Sequence, residues 1–152
     1  MSTSITALAE QLMDITRWQK TPEILPPSDY RKMILKGIKR LLIDTGRAPL
    51  YSDDLIEIIE TEMTGDDGSV STVTTTNFLM DFLIDEEAYI LICAQIEFFR
   101  RVQSDVNNIV GYTTDALSVT HADKPYANLM DTINQLEQDR RITYYKMVRF
   151  CL

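Results

Sequence analysis

The sequence contains few of the residues that build most catalytic and metal-binding sites. It has one histidine, His121, and two cysteines, Cys93 and Cys151, in 152 residues. A zinc site based on histidines is therefore excluded by count, and the wide spacing of the cysteines does not suit a zinc ligand pair. Neither a G-x-x-x-x-G-K loop nor a G-x-S-x-G motif occurs. We therefore expect no catalytic site, no cofactor and no metal ion.

Carboxylate motifs are also weak. The Asp66–Asp67–Gly68 segment superficially resembles a calcium loop, but it lacks the alternating oxygen ligands and the closing glutamate. Adjacent acids such as Asp53–Asp54 and Glu86–Glu87 point apart on a helix and do not form an acid–base dyad. Weak divalent-ion binding and a small enzyme with an unrecognised carboxylate site remain open alternatives.

The chain has no sequence signs of secretion or membrane insertion. Residues 1–12 lack the basic start and the apolar run of a signal peptide. The longest apolar run, near Cys93, is about a dozen residues, which is too short for a confident membrane span. The length favours one domain over residues 1–152, with a core that needs no disulfide. The two cysteines suit a reducing compartment.

Lysine and arginine are missing from the middle of the chain. Residues 51–88 contain eleven Asp or Glu and no Lys or Arg, within a net charge of −8. Residues 1–50 contain eight basic and five acidic residues, and residues 89–152 contain seven of each. We call residues 51–88 the acidic block. Its potential would repel nucleic acid and attract basic surfaces, although a solvated face kept soluble by charge is the alternative interpretation.

The apolar pattern predicts a mainly α protein. Residues 85–106 are apolar nearly all round between Ala88 and Phe99, which indicates a helix packed on most sides. Further helices are predicted over residues 2–18, 28–45 and from about 123 onward, the second capped by Ser28 and ended by Gly46. The predicted fold is a bundle of about four helices around the central apolar helix at 85–106, with a small β hairpin or flap near 56–76. Residues 55–63 fit either a helix or a strand.

Two groups of basic residues are candidate contacts for a partner or for another copy. The second predicted helix carries a basic stripe on the face opposite its apolar residues, and the last predicted helix ends in basic residues. Asp66 and Asp67 of the acidic block are candidate contacts of the opposite charge. An ordinary solvated helix face is the alternative for the stripe. The basic candidates are Lys32, Lys36, Lys39 and Arg40 in the stripe, and Arg140, Arg141, Lys146 and Arg149 in the last helix.

Two segments carry a resemblance to a known family: EEAYILICAQIEFFRRVQSDVNNIVGYTTDALSVT and HADKPYANLMDTINQLEQDRRITYYKM. An apolar helix that opens on acids is followed by a Gly-Tyr-Thr-Thr turn, a short extended piece and a capped helix with an aromatic and basic end. This order resembles the head-to-tail connector, or adaptor, proteins of tailed bacteriophages. The resemblance covers roughly residues 28–149 and is one of pattern, without a diagnostic motif.

The resemblance implies a structural protein of the virion neck, assembled in the cytoplasm of the host bacterium. Such adaptors form rings, commonly of twelve copies, under the portal protein and join it to the next neck or tail component. DNA passes through the central channel without specific binding, and no membrane is involved. The partners implied are thus the portal, another neck or tail protein and further copies of the chain.

Three other functions remain open. The first is an acidic helical adaptor or regulatory domain that binds a basic protein partner, which stoichiometry would distinguish from a ring subunit. The second is the small enzyme, which a metal-content measurement and an activity survey would test. The third is a DNA-mimicking inhibitor, which would compete with DNA for a DNA-binding enzyme.

Overall fold

The computed structural model describes the backbone of residues 2–17, 27–112 and 123–150, and the side chains of residues 2–16, 27–104 and 130–149. Within these ranges the chain is mainly helical, with four α-helices and a small three-stranded antiparallel sheet. The prediction of a mainly α protein with a small β element is confirmed. His121 and Cys151 lie outside the described residues. The elements, in order, are β1 Thr3–Ser4, α1 Ile5–Arg17, α2 Pro27–Asp44, β2 Ile56–Thr64, β3 Val70–Phe78, α3 Ile84–Tyr112 and α4 Asp123–Phe150.

The predicted hairpin is confirmed, and the ambiguous segment 55–63 is mostly strand. β2 and β3 pair antiparallel from Ile56 opposite Phe78 to Thr64 opposite Val70. The turn closes with Gly65 N donating to the Ser69 carbonyl at 2.7 Å, and Gly68 has a φ of 79°. A positive φ favours glycine because it has no Cβ. The β-branched residues of β3 thus pair with a β2 strand whose glutamates all face solvent.

The predicted helix at residues 2–18 starts too early. Thr3 and Ser4 instead form β1, which pairs with Phe78 and Asn77 of β3. Ser4 Oγ accepts a hydrogen bond from Ala7 N at 3.1 Å, so Ser4 is the N-cap of α1. An N-cap residue has extended backbone geometry, which lets the same residue end a strand and begin a helix. The predicted apolar seam of α1 is buried at Ile5, Leu8 and Leu12, but Ile15 is exposed.

Helix α2 ends where Gly46 predicted it, but it begins at Pro27, so the predicted cap Ser28 lies inside the helix. Its end is a Schellman motif: Arg47 N donates to the Leu42 carbonyl at 2.6 Å, and Gly46 N donates to that of Ile43 at 3.1 Å. Gly46 has a φ of 73°, which is the left-handed geometry that the motif requires. The predicted apolar face is buried as a whole, at Tyr30, Ile34, Ile38, Leu41 and Leu42.

Helix α3 extends beyond the predicted range of 85–106 at both ends. It contacts α1, α2 and α4, and its side chains supply Tyr89, Ile90, Phe98 and others to the core. Its first turn is fixed by Glu86, whose Oε2 accepts from Leu83 N at 3.0 Å. The other carboxylate oxygen of Glu86 accepts from Arg47 Nη2 at 2.5 Å, which ties the start of α3 to the end of α2.

Helix α4 packs against α3. Ile133 and Met147 are buried, whereas the side chains of the predicted face residues Tyr126 and Leu129 lie outside the described set. Among the described helices, none combines the length and the apolar character needed to cross a bilayer.

Candidate functional site

The β2–β3 hairpin presents an acidic surface far from the core. All of residues 57–73 are exposed, and they carry no basic residue. We name the whole β2–β3 hairpin, residues 56–78, the acidic hairpin; its carboxylates are Glu57, Glu60, Glu62, Asp66 and Asp67. Asp67 Oδ1 accepts hydrogen bonds from Ser69 Oγ at 2.6 Å and from Ser69 N at 3.1 Å. These bonds hold the pKa of Asp67 below its ordinary value, and the bond from the Ser69 hydroxyl has the largest effect. This exposed carboxylate therefore stays charged at neutral pH.

The two faces of the acidic hairpin differ in character. Residues that alternate along a strand share a face, and directly opposed residues of an antiparallel pair share it as well. One face therefore carries Ile58, Glu60 and Glu62, and the other carries Ile59 and Met63 with Val73 of β3. Ile58 is 63% exposed and Met63 is 57% exposed. The hairpin thus combines charge with apolar surface that its own chain leaves uncovered.

The basic stripe of α2 also faces solvent, but each member has a partner. Lys32 Nζ lies 3.9 Å from Asp29, Lys36 Nζ lies 3.6 Å from Glu97, and Arg40 Nε lies 3.0 Å from Asp44. Lys39 Nζ lies 4.7 Å from the centre of the Tyr51 ring. The hydrogen bond to Asp44 raises the pKa of Arg40. Exposed pairs of this kind contribute at most about 1 kcal/mol each, so the stripe can exchange these partners for others.

Two open clefts join this stripe to helix α3. One has a volume of about 360 Å³ and lies between α2, α3 and α4; the other, of about 420 Å³, lies between α2 and α3. Lys36, Glu97 and Arg100 line both clefts, so together they form one surface, which we name the basic groove. Its floor includes Gly37 and Cys93. The lining contains seven Lys or Arg side chains and three carboxylates, which gives the groove a net positive charge.

Arg100 and Arg101 are members of the groove that sequence reasoning did not propose as contacts. Arg100 Nη2 lies 3.1 Å from Glu137 on α4, and Arg101 Nη1 lies 3.0 Å from Asp29 on α2. These pairs join positions 37 and 72 residues apart. No short-range pattern brings such residues together, so only the fold reveals that they extend the basic stripe of α2.

Arg140, a candidate contact residue, is mostly enclosed by its own chain although it lines the basic groove. Its side chain is 20% exposed and bonds inside the chain, with Nη1 at 3.1 Å from Tyr89 Oη and 3.3 Å from Asp44, and Nε at 2.9 Å from Glu137. Tyr89 Oη also donates to Asp44. Burial and this bond to Asp44 raise the pKa of Tyr89 far above its ordinary value, against the opposing effect of Arg140. Arg140 therefore links α2, α3 and α4.

The other predicted basic residues of α4 are exposed. Arg141, Lys146 and Arg149 accompany two exposed apolar side chains, Ile142 and Tyr145, the latter 66% exposed. Arg141 also lines a separate cleft of about 330 Å³ with Tyr144 and Tyr145. This end of α4 is a second basic surface, of mixed basic and apolar character.

Cys93, the cysteine whose side chain the structure describes, is not suited to act as a nucleophile. Burial raises the pKa of the Cys93 thiol to about 12, so it stays protonated at neutral pH and is a poor nucleophile. No group of three or more His, Cys, Asp or Glu side chains that could hold a metal ion occurs in the part of the chain that the structure describes. What these residues can form is a set of charged surfaces for binding.

Comparison with known proteins gives no relative. No family model, no curated protein and no solved structure matches this chain.

Proposed function

We propose that this chain is a structural subunit of the neck of a tailed bacteriophage virion. In this proposal, copies form a ring that joins the portal protein to the next neck or tail component and surrounds the DNA channel. The localisation that follows is the virion, between capsid and tail. The proposal rests on the resemblance of residues 28–149 to the connector family and on the surfaces described above.

A central position of α3 belongs to this proposal. Because α3 contacts α1, α2 and α4, it would form the axis of a four-helix bundle from which the hairpin extends. Many of its side chains are buried within a single chain, from Tyr89 to Phe99. One subunit thus supplies a self-sufficient helical body, and the ring contacts would be made by surface elements.

The observation that carries the proposal is the presence of two unlike surfaces on one chain. The acidic hairpin has five carboxylates, and the basic groove has an excess of four basic side chains. A ring is built from heterologous contacts, in which one face of a subunit complements a different face of its neighbour. Opposite charges favour such an encounter and its register.

The acidic block has a second possible position, on the wall of the channel. A negatively charged lining gives DNA phosphates no counterion-release gain, so DNA would slide past without binding. Substitution of Asp66 and Asp67 at the hairpin tip tests both roles of the acidic surface, the contact between subunits and the lining of the channel. Each role needs the negative charge of these two residues.

The test of the proposal is assembly with the portal protein of the same virus. We expect rings seated on the portal in negative-stain images of the mixture. We also expect Asp66→Lys/Asp67→Lys to impair ring assembly or DNA retention in virions, whereas Glu10→Lys/Asp14→Lys, the same charge change on exposed positions of α1, leaves both intact. A chain that stays monomeric and leaves the portal unoccupied contradicts the proposal. Unchanged assembly and DNA retention in the Asp66/Asp67 variant removes the role of the acidic tip.

A second candidate function is an acidic helical adaptor that binds a basic protein. The exposed carboxylates of the hairpin favour it, because they have no basic residue beside them on the same hairpin. Light scattering separates the two functions: an adaptor of this kind forms a one-to-one complex with its partner, and a connector joins a large ring.

A further inference from the structure

We propose that the acidic hairpin is an arm that docks in the basic groove of a neighbouring copy. This inference rests on the proposed ring and adds to it the two surfaces that meet. The contact is heterologous, because the arm of each copy enters the groove of the next.

The first step of the argument is reach. Strand residues advance about 3.4 Å each, so β2 extends about 14 Å from Glu60, which lies opposite the anchored Thr74, to Thr64 at the turn. The base is anchored by β1, by Thr76 N donating to Thr6 Oγ1 at 2.8 Å, and by Arg31 Nη2 at 3.4 Å from the Thr74 carbonyl. The outer part lies beyond these anchors and is long enough to meet another subunit.

The second step is the stability of the arm. A two-stranded hairpin is only marginally stable when water surrounds it. Here Ile58 and Val70, which lie on the same face of the hairpin, are 63% and 64% exposed. Their burial against another surface would stabilise the extended arm, at about 25 cal/mol for each Å² of apolar surface covered.

The third step is the match between the arm and the groove. Glu60 and Glu62 lie on the hairpin face that also carries Ile58. The groove presents Lys32, Lys36 and Arg101 as exposed cations, and its wall includes Ile43, which is 60% exposed. Carboxylates can thus meet cations while one apolar side chain covers another, which is the arrangement of a polar rim around an apolar contact.

The fourth step is that the occupant is a second copy. Within one chain the hairpin residues 57–73 are exposed, and Lys32, Lys36, Arg100 and Arg101 are exposed as well, so the chain does not cover its groove with its own arm. The same molecule nevertheless supplies both complementary charges. Self-association then needs no further partner, and the contact repeats from copy to copy.

A charge exchange tests the contact in the presence of the portal. Glu60→Lys/Glu62→Lys on the arm and Lys32→Glu/Lys36→Glu in the groove should each weaken assembly at least tenfold in sedimentation velocity. The four substitutions combined in one chain should restore it, because attraction returns with inverted signs. Glu10→Lys/Asp14→Lys on α1 is the matched control, and circular dichroism confirms that each variant is folded. Failure of the combined variant to recover, although it is folded, overturns the proposal.

A cross-link locates the contact directly. In a Cys151→Ser background, copies carrying Glu62→Cys are mixed with copies carrying Lys36→Cys and treated with a short bis-maleimide reagent. Copies that retain only the buried Cys93 give the background level of cross-linked product. A dimer-sized product that requires both substituted copies supports the docked arm. Rings on the portal without this product overturn the docked arm and leave the ring intact. A product between Glu62→Cys and the portal also overturns it, and absence of any assembly overturns both proposals.

Discussion

Gly37 of α2 lies so close to Ile90 of α3 that a side chain has no room between them. A Cβ built on Gly37 would lie 2.6 Å from the Ile90 carbonyl oxygen and 3.1 Å from its Cγ2. The missing side chain therefore sets how closely α2 and α3 approach. This approach also places Gly37 in the floor of the basic groove.

We expect Gly37→Ala to destabilise the protein although alanine is the better helix former. Alanine gains about 1 kcal/mol in helix propensity. The clash with a backbone oxygen cannot be relieved by a rotamer change, and overpacking of this kind costs about 1–3 kcal/mol. Urea unfolding measures the net loss, with Lys32→Ala, at an exposed position of the same helix, as the control expected to change stability by under about 0.5 kcal/mol. An equally stable or more stable Gly37→Ala variant would show that α2 and α3 can separate at no cost.

Thr3→Val should also destabilise the protein, through hydrogen bonds. Thr3 Oγ1 donates to the Met80 carbonyl at 2.9 Å and accepts from Phe82 N at 3.2 Å. Valine has a similar shape but leaves both backbone groups without this partner, which costs about 1–3 kcal/mol. Thermal unfolding is the measurement, and Thr61→Val on the exposed part of β2 is the control. A Thr3→Val variant with unchanged stability would mean that water replaces the hydroxyl.

The Cys93 thiol should react slowly with a thiol reagent in the folded state. Its side chain is buried and its pKa is raised to about 12, so little thiolate is present and access is restricted. In a Cys151→Ser variant, absorbance with a disulfide reagent at pH 8 should show slow modification that becomes fast in denaturant. Immediate modification without denaturant would contradict the burial of Cys93 in the contacts of α3 with α2 and α4.

Stability should fall in alkaline solution because of Cys93 and Tyr89. Burial raises the folded-state pKa of both groups, and the hydrogen bond to Asp44 raises that of Tyr89 further. The unfolded chain therefore loses these two protons at a lower pH than the folded chain does. The stabilising contribution of each group is complete below its ordinary pKa, which is 9 for the thiol and 10 for the phenol. This contribution is lost as the pH rises above that value. Each group contributes a slope of at most about 1.4 kcal/mol per pH unit.

Urea unfolding between pH 7 and pH 11 measures this effect, and single substitutions assign it. Cys93→Ala should remove the part that begins near pH 9, and Tyr89→Phe the part that begins near pH 10. Tyr89→Phe should also cost about 1 kcal/mol at neutral pH, because Asp44 and Arg140 lose a hydrogen-bond partner. A pH dependence identical to that of the unchanged chain in both variants would assign the alkaline loss to other groups.

The parts of the fold that the sequence predicted well are those with local causes. The end of α2 follows from Gly46 and the hairpin from β-branched residues around a turn, and both are as predicted. Strand β1 was missed because its partner Phe78 is 75 positions from Thr3. The intramolecular partners of Arg140 were not predicted because Tyr89 and Asp44 are 51 and 96 residues away from it in the sequence. For the candidate site, the basic stripe was readable from helical spacing, but its extension by Arg101 depends on the packing of α3 on α2.

The hydroxyl of Thr3 has a consequence for biosynthesis. Its partner Phe82 N is 79 positions further along the chain, so this contact cannot form on the ribosome until the hairpin and the start of α3 have emerged. Translation at about 5–20 residues per second makes that delay several seconds, during which β1 has no partner strand. The backbone of Thr3 and Ser4 stays unpaired until β3 is synthesised, and slow codons before residue 82 would lengthen this interval.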